Sequence, residues 1–213
     1  MPVFGKGRKN RERVQFIGKE TVRAESGKRA YLKKAFYAFT KTSAFSIKNQ
    51  FSPLFEKNGF IMERFMGKRK PVVVLDWGCG KARAIEKIAS QYKGTINAYG
   101  FSKDSYGQWS KIKNVKLIHA TKEDLLRYLK NDSVDVIYSW LGLDYLFPLE
   151  KKPAFQEGTQ YIKKLLQKVS KGGKIAFNCP LFVGKQTEAA LEKALEGKAE
   201  IETKAGSVYI TKK

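Results

Sequence analysis

Residues 76–83, "DWGCGKAR", have the types and spacing of a turn that holds a ligand. Gly78 and Gly80 bracket Cys79. Because glycine adopts positive φ and has no Cβ, such a turn lets a ligand approach the backbone closely. A helix that begins just after it adds free N–H groups and positive potential. A nicotinamide or flavin fingerprint requires a third glycine where this chain has Arg83, which argues against a dinucleotide.

Other side chains that could do chemistry are few. Cys79 and Cys179 lie one hundred residues apart without CxxC spacing, and His119 is the single histidine. This inventory predicts no metal site. We interpret Cys79 as a small turn residue and His119 as a structural residue at a strand end. The cysteine usage favours a reducing cytosol, and therefore a cytoplasmic location.

The turn is part of a regular alternation of strands and helices that begins at Pro71. "VVVLDW" is a continuous apolar run, typical of a strand buried on both faces. Further strands are predicted at "TINAYGF", "VKLIHA", "SVDVIYSW" and "KIAFNC", and a hairpin around Gly206 joins the last two, "AEIETKA" and "SVYITKK". The pattern predicts an α/β fold: a doubly wound, mostly parallel sheet with helices on both faces and a C-terminal antiparallel hairpin. Ligands of such sheets bind at the carboxyl ends of the strands, where the turn lies.

Several helix boundaries are predicted from capping residues. Ser52 is the expected N-cap of a helix that reaches about Met66, and "TKTSAFSIKNQ" before it is expected to be a polar connector. The segment "KGG" is expected to end a helix before the fifth strand. Thr187 is the expected cap of the last helix.

The charge of the chain indicates a polyanionic partner. The sequence has 42 Lys and Arg against 20 Asp and Glu, a formal net charge of +22, and residues 1–70 alone have a net charge of +13. We predict a flexible basic arm (1–27), a basic helical N-terminal extension or lid (28–70) and the α/β domain (71–213). The N-terminal region is expected to bind nucleic acid, most plausibly RNA. The alternative is a solvated, lysine-rich surface like those of heat-adapted proteins. The sequence has no apolar run near 18 residues, so no membrane partner is expected.

"VVVLDWGCGKA" resembles motif I of the class I S-adenosylmethionine-dependent methyltransferases, an apolar run followed by L-D-x-G-C-G-x-G. The similarity continues in order through "AYGF", "VKLIHATKEDL", "NDSVDVIYSWLGLDYL" and "QYIKKLLQKVSKGGKIAF", and covers about Val72 to Lys213. The resemblance implies S-adenosylmethionine as cofactor and methyl transfer as the reaction.

The resemblance also implies roles for individual residues. Asp76 would contact the amino-acid portion of the cofactor, and Gly78, Cys79 and Gly80 would let the backbone approach it. Ser139 or Trp140, at the end of the fourth strand, would border the methionine portion and the substrate. The remaining cofactor-binding candidates follow the second and third strands: Phe101, Ser102, Thr121 and Lys122.

The chain departs from the family pattern at three positions. Ala82 replaces the third glycine of motif I, and Ser102 replaces the acid that holds both ribose hydroxyls. Asp104 could substitute for that acid, or could equally cap a helix. Thr121 stands where an acid usually meets the adenine amino group.

Asp144 and Tyr145 follow the fourth strand and are the catalytic candidates. Asp144 could accept a proton or position an amino group or ring nitrogen, although a capping or surface acid is the more common role of such a residue. Tyr145 and Trp140 could stack on a base, or belong to the core.

Two functions are consistent with these features. The first is an S-adenosylmethionine-dependent methyltransferase that acts on RNA, with ribosomal or transfer RNA as the expected target. The second is a non-catalytic RNA- or ribosome-binding protein on a degenerate methyltransferase scaffold, a reading that Ser102 and Thr121 motivate.

Overall fold

The computed structural model describes residues 43–140, 142–147, 152–178 and 181–213. Their strands are β1 (Val72–Trp77), β2 (Ile96–Ser102), β3 (Lys116–His119), β4 (Val134–Ser139), β5 (Val169–Asn178), β6 (Ala199–Lys204) and β7 (Ser207–Lys212). Their helices are α1 (Ala44–Gln50), α2 (Ser52–Phe55), α3 (Phe60–Lys68), α4 (Arg83–Gln91), α5 (Lys122–Tyr128), α6 (Lys152–Lys168) and α7 (Leu181–Leu195). Two short 3₁₀ helices lie at Gly107–Lys111 and Leu143–Leu146.

All seven strands form one sheet in the order β3-β2-β1-β4-β5-β7-β6. The pairs from β3 to β5 are parallel, whereas β7 is antiparallel to both of its neighbours. The hairpin turn between β6 and β7 has positive φ at Ala205 and Gly206. This sheet confirms the predicted α/β fold with its C-terminal antiparallel hairpin.

Alternate residues of the central strands point into two separate cores, one on each face of the sheet. On one face, Leu75 and Ile137 pack with apolar residues of α5, α6 and α7. On the other, Val74 and Val136 pack with apolar residues of α1 to α4. This alternation explains the unbroken apolar runs of β1 and β4, because both faces of these strands are buried.

The sequence prediction for residues 43–66 is wrong in two respects. The segment expected to be a connector contains α1, which is capped by Ser43, whose Oγ accepts a hydrogen bond from the Ser46 amide at 3.1 Å. The helix expected from Ser52 ends at Phe55, and α3 begins only after Gly59. The backbone turns tightly at Gly59, where an added Cβ would lie 2.9 Å from the Glu56 nitrogen.

Two further boundaries differ from the sequence prediction. "KGG" belongs to β5, where the pairing with β4 shifts between Val134 and Val136 and Gly172 has a φ of 70°. The irregular pairing accommodates Gly172 and Gly173 within β5. The glycine pair therefore lies in the strand and does not end α6. Thr187, predicted to cap a helix, is a fully buried residue inside α7.

A buried carboxylate fixes α3 to the amino end of β4. Asp135 accepts hydrogen bonds from Arg64 Nε at 3.2 Å and Lys68 Nζ at 2.5 Å. It also accepts from the Ser170 hydroxyl at 2.7 Å and the Val73 amide at 3.0 Å. Each carboxylate oxygen therefore has a donor, as burial of a charge requires. This network ties α3, β1, β4 and β5 together at one edge of the sheet.

The arm predicted at 1–27, residues 28–42 of the predicted lid, and Cys179 lie outside the described residues. Among the helices that are described, none is long and apolar enough to cross a membrane.

Candidate functional site

The turn after β1 is held open by its backbone conformation. Gly78 and Gly80 have φ values of 87° and 51°, in the left-handed region that favours glycine. The Phe101 carbonyl accepts hydrogen bonds from the amides of Gly78 at 2.9 Å and Cys79 at 2.8 Å, which fixes the turn to the end of β2. Ala82, at the position of the missing third glycine, also has positive φ (59°), so the substitution keeps the shape of the turn at some cost in strain.

Beyond these contacts the turn presents free backbone. In the described part of the chain, no protein group accepts a hydrogen bond from the amides of Gly80 and Lys81. A Cβ added at Gly80 would meet nothing within 4 Å. The Gly80 carbonyl, in contrast, accepts a hydrogen bond from Trp109 Nε1 at 2.9 Å. The turn is therefore fixed on one side and open to a ligand on the other.

Asp76, the last buried residue of β1, is a carboxylate without a cation. It is 4% exposed, and no lysine or arginine of the described residues pairs with it. Burial raises its pKa to about 7, while the nearby Tyr138 hydroxyl acts to lower the pKa. The two residues are adjacent in the parallel register of β1 and β4, although the Tyr138 hydroxyl falls outside hydrogen-bond geometry with any described group. Such a group favours a positively charged ligand, because a cation restores the stability of the ionised form.

Cys79 is a packed thiol. Burial and the charge of Asp76 both raise the pKa of the thiol. Its Sγ fills the space beside Gly100, where an added Cβ would lie 2.9 Å from the sulfur. A neutral, half-buried thiol of this kind is suited to shape the turn and is a poor nucleophile.

The end of β2 places Ser102 where the resemblance expects an acid. Ser102 is buried, and its Oγ accepts a hydrogen bond from the Asp104 amide at 3.2 Å. The 3₁₀ helix that follows begins at Gly107 after Tyr106, so the alternative that Asp104 caps a helix is wrong. Asp104 is an exposed carboxylate in the loop beside Ser102. Phe101 is buried and packs against Trp77, with ring centroids 5.3 Å apart.

Thr121 and Lys122 begin α5 and are linked to β1 through aromatic residues. The Thr121 hydroxyl caps the helix, accepting from the Asp124 amide at 3.1 Å and donating to Asp124 Oδ2 at 2.8 Å. The Lys122 carbonyl accepts from the Tyr161 hydroxyl at 3.1 Å, which in turn accepts from Trp77 Nε1 at 3.1 Å. The Lys122 ammonium lies 5.6 Å from the centre of the Tyr161 ring.

Ser139 organises the loop that leaves β4. It is fully buried, and its Oγ accepts hydrogen bonds from the amides of Gly142 and Leu143, both at 3.0 Å. The backbone then places Asp144 and Tyr145 in the 3₁₀ helix that follows, so both stay candidates for catalysis. Trp140 is half-buried and packs edge-on against Phe51, with ring centroids 6.3 Å apart.

Gly142 gives a direct test of this loop. A Cβ at Gly142 would lie 2.7 Å from both Ser139 Oγ and Trp77 Cε3. We expect Gly142→Ala to lower the free energy of unfolding by about 1 to 3 kcal/mol, because the half-buried Trp77 ring and the buried Ser139 hydroxyl must move. The control is Gly67→Ala on α3, where an added Cβ meets nothing within 4 Å. Urea denaturation of both variants makes the comparison, and an equal effect at the two positions would contradict the packing described here.

The structure brings most of the predicted residues to one edge of the sheet. Asp76, the glycine turn, Ser102 and Ser139 all lie at the carboxyl ends of three adjacent strands, β2, β1 and β4. Thr121 and Lys122 follow β3, which is next in the sheet. His119 also ends β3, and its Nε2 lies 3.1 Å from the Lys103 carbonyl oxygen, as suits a structural residue. No cluster of metal-ligating side chains occurs among the described residues.

Sequence reasoning missed four aromatic residues that shape the site: Trp77, Trp109, Tyr138 and Tyr161. Trp109 fixes the turn, Tyr138 lies beside Asp76, and the other two connect β1 to α5. The sequence alone does not reveal the roles of these residues, because the roles depend on the order of the strands. Tyr138, for example, lies next to Asp76 because β1 and β4 pair in parallel.

One cavity of the described structure lies away from these residues. It has a volume of about 280 Å³ and is lined in part by Gly59, Phe60, Lys174 and Tyr209. None of the predicted site residues lines it. The open backbone and the buried carboxylate occur instead at the carboxyl edge of the sheet.

Comparisons with known proteins support the fold. No protein-family model matches the sequence, and a comparison with curated proteins finds no match. Among solved structures, an S-adenosylmethionine-dependent methyltransferase from Aquifex aeolicus is 14% identical, with a TM-score of 0.50 over 70% of this chain and 87% of that one. The aminoglycoside resistance methyltransferase NpmB1 is 13% identical, with a TM-score of 0.50 over 70% of this chain and 93% of that one. The chain therefore has the fold of the class I S-adenosylmethionine-dependent methyltransferases.

Proposed function

We propose that this protein is an S-adenosylmethionine-dependent methyltransferase that acts on RNA, with ribosomal or transfer RNA as the target class. The observation that carries the proposal is the pairing of Asp76 with the open turn. A buried carboxylate without a cation lies beside two free backbone amides, at the edge where sheets of this kind bind ligands.

The residues of this edge suit S-adenosylmethionine. The cofactor carries an α-ammonium group and a sulfonium, and the Asp76 carboxylate is the group that a cation would stabilise. The open side of Gly80 accommodates a ligand close to the backbone, and Asp104 with Ser102 offers oxygens for ribose hydroxyls. When bound, S-adenosylmethionine supplies an electrophilic methyl group.

The protein's own part in the reaction is to orient the acceptor and to exclude water. Methyl transfer needs the acceptor atom aligned behind the methyl carbon, and proximity in a dry site supplies much of the acceleration. Trp140 and Tyr145 are proposed to stack on a base, and Asp144 to accept the proton or to position the acceptor amine. No catalytic triad is required for this chemistry.

The excess positive charge supports RNA as the substrate. A chain with a formal net charge of +22 attracts polyphosphates and repels basic proteins. Arg83 and Lys103, which flank the site, are exposed cations. The basic arm (1–27) and the N-terminal extension or lid (28–70) are proposed to add further phosphate contacts.

Calorimetric titration with S-adenosylmethionine tests the proposal. We expect saturable binding by the wild-type protein, because the turn and Asp76 are preorganised. Asp104→Asn is a companion variant and is expected to bind several-fold more weakly if Asp104 holds the ribose. Absence of binding by well-folded wild-type protein at millimolar ligand would refute the enzyme assignment.

A non-catalytic RNA-binding protein on this fold is the second candidate. Two observations favour it: the Ser102 hydroxyl accepts a bond from the next loop, and the Thr121 hydroxyl caps a helix. Neither residue is an acid that could accept hydrogen bonds from the ribose hydroxyls or the adenine amino group of the cofactor. The same titration separates the two candidates, because only the enzyme requires the cofactor.

A further inference from the structure

A row of lysines lies at the edge of the sheet opposite the proposed active site. Six adjacent strands, in the order β2-β1-β4-β5-β7-β6, each have a lysine at this amino edge. We call them the basic row: Lys93, Lys70, Lys130, Lys171, Lys212 and Lys198. Strand direction explains the alignment, since β7 runs antiparallel and so brings its C-terminal lysine to the edge where its neighbours begin.

Hydrogen bonds link several of the turns at this edge to neighbouring elements. The Asp132 and Ser133 amides donate to carbonyls at the end of α6, and the Lys213 amide donates to the Lys198 carbonyl at 3.0 Å. Arg64 donates to the Lys171 carbonyl at 2.7 Å, which joins α3 to the same edge.

Most of the basic row has no internal counter-charge. Lys212 pairs with Asp132 at 2.7 Å, whereas the other five have no carboxylate partner among the described residues. All five are exposed. At the carboxyl edge, Lys122 lies 3.7 Å from Glu123, and the segments after β1, β2 and β3 contain four cations and three acids. The cations there are Lys81, Arg83, Lys103 and Lys122, and the acids are Asp104, Glu123 and Asp124.

From this geometry we propose that the basic row is a docking surface for the phosphate backbone of RNA, separate from the edge where methyl transfer takes place. Neighbouring strands are about 4.8 Å apart, so six of them span about 24 Å. A nucleic-acid strand with one phosphate per ~3.4 Å of helix axis presents on the order of seven phosphates over that length. Because such contacts read the backbone, they position the RNA without reading its sequence.

RNA suits this surface better than a membrane does. Peripheral membrane binding combines cations with apolar anchors that enter the lipid. The exposed large hydrophobic residues of the described structure are Phe45, Met66 and Tyr128. Met66 and Tyr128 lie near Lys70 and Lys130 in the chain, but on helices that pack on opposite faces of the sheet, so they do not form one apolar face. A row of charges without a shared apolar face is instead typical of backbone recognition.

The placement also implies the size of the substrate. A strand of six residues, such as β1, is about 20 Å long, so an RNA held at the amino edge reaches the site only if it extends around the domain. The substrate is then a folded RNA that contacts two edges of the sheet. This inference rests on the proposed function because it takes RNA as the ligand. It does not depend on the transfer of a methyl group.

The test compares two triple variants of the full chain by fluorescence anisotropy, with a labelled RNA duplex of about 20 base pairs as the probe. The edge variant is Lys130→Gln, Lys171→Gln and Lys198→Gln. The matched control is Lys57→Gln, Lys87→Gln and Lys164→Gln, three exposed lysines away from the row that also have no carboxylate partner in the described structure. Both variants lose the same charge.

We expect the edge variant to bind at least tenfold more weakly near 0.1 M salt, and its salt slope to fall by about 2 to 3 because three phosphate contacts are lost. The control is expected to change less than threefold. Equal losses in the two variants, or none in either, would overturn the basic row as a docking surface. A loss of binding to vesicles of anionic lipid without a loss for RNA would overturn the choice of partner.

The outcome is distinguishable from that of the proposed function. If the edge variant loses RNA affinity while the wild-type protein binds no S-adenosylmethionine, the surface stands and the enzyme assignment fails. If the cofactor binds and methyl groups reach RNA but the edge variant binds RNA normally, the proposed function stands and this inference fails.

Discussion

Replacing Asp76 with asparagine is expected to weaken S-adenosylmethionine binding by about ten- to a hundredfold at pH 7.5. A hydrogen bond to a charged group contributes about 1.5 to 3 kcal/mol, and every 1.4 kcal/mol is a factor of ten in affinity. Between pH 5.5 and 7.5 the wild-type affinity should rise, because the carboxylate ionises with a pKa of about 7. The variant has no such group, and its affinity should not show that rise.

The same substitution is expected to stabilise the folded protein at alkaline pH. The pKa of Asp76 is raised in the folded state from 3.8 to about 7, so the folded protein binds this proton more tightly than the unfolded chain does. The stabilisation that comes from this protonated carboxyl is therefore fully present below pH 3.8 and is lost as the pH rises to about 7. Over that range its loss lowers the free energy of unfolding by an amount on the order of 4 kcal/mol. Asparagine cannot ionise and avoids that loss.

Urea denaturation at pH 4 and pH 8 measures this effect. The stability of Asp76→Asn should be close to that of the wild type at pH 4 and should exceed it by a few kcal/mol at pH 8. Glu192→Gln, at an exposed acid of α7 that forms no ion pair in the described structure, serves as control and should differ from the wild type by less than about 0.5 kcal/mol at both values. A variant that is less stable than wild type at pH 8 would show that Asp76 is a structural acid and not one kept for a cationic ligand.

The second large effect is expected at Asp135, whose environment is the reverse of that of Asp76. Burial by itself would raise the pKa of this carboxyl, but hydrogen bonds from Lys68, the Val73 amide and Ser170 outweigh burial and lower the pKa. Asp135→Asn leaves Arg64 and Lys68 without a counter-charge. We expect a loss of about 2 to 4 kcal/mol in the free energy of unfolding at pH 7, somewhat below the range for fully buried pairs because Lys68 is 38% exposed.

The stabilisation that Asp135 contributes changes with pH in the direction opposite to that of Asp76. Because the folded-state pKa of Asp135 is lowered, its contribution is present above the unfolded pKa of about 3.9 and disappears as the pH falls through the lower folded value. The difference between wild type and Asp135→Asn should therefore be full at pH 7 and shrink below about pH 4. Chemical denaturation across that range measures it, and a difference that stays constant would show that the ion pairs contribute nothing.

Much of the sheet could be predicted from sequence because its signals are local. Apolar runs mark β1 and β4, alternating elements indicate parallel strands, and Gly206 marks the hairpin. The turn at Gly78 and Gly80 follows from residue type alone, since positive φ favours glycine.

The errors occurred where tertiary contacts override local propensity. α1 looked like a polar connector, but Ala44 and Ile47 are buried in the core on one face of the sheet, while Phe45 between them is 73% exposed. Ser52 looked like a cap, but the close backbone approach at Gly59 divides the predicted helix in two. The glycine pair of "KGG" is fitted into β5 by a shift of register with β4 that no local pattern shows.

The environment of the candidate site also depends on contacts between distant residues. The raised pKa of Asp76 comes from burial between strands, and its neighbour Tyr138 is sixty-two positions away in the chain. The basic row was likewise invisible in sequence, because its lysines are scattered over more than one hundred positions and meet only through strand order.

Transfer of an isotope-labelled methyl group from S-adenosylmethionine to RNA tests the central claim most directly. The wild-type protein is incubated with labelled cofactor and a mixture of unmodified ribosomal and transfer RNA, and label is then counted before and after ribonuclease treatment. We expect label in RNA that ribonuclease releases, and at least tenfold less label with Asp76→Asn at a cofactor concentration below saturation. If wild-type protein that binds both the cofactor and this RNA transfers no label to it, the claim of RNA methylation is contradicted.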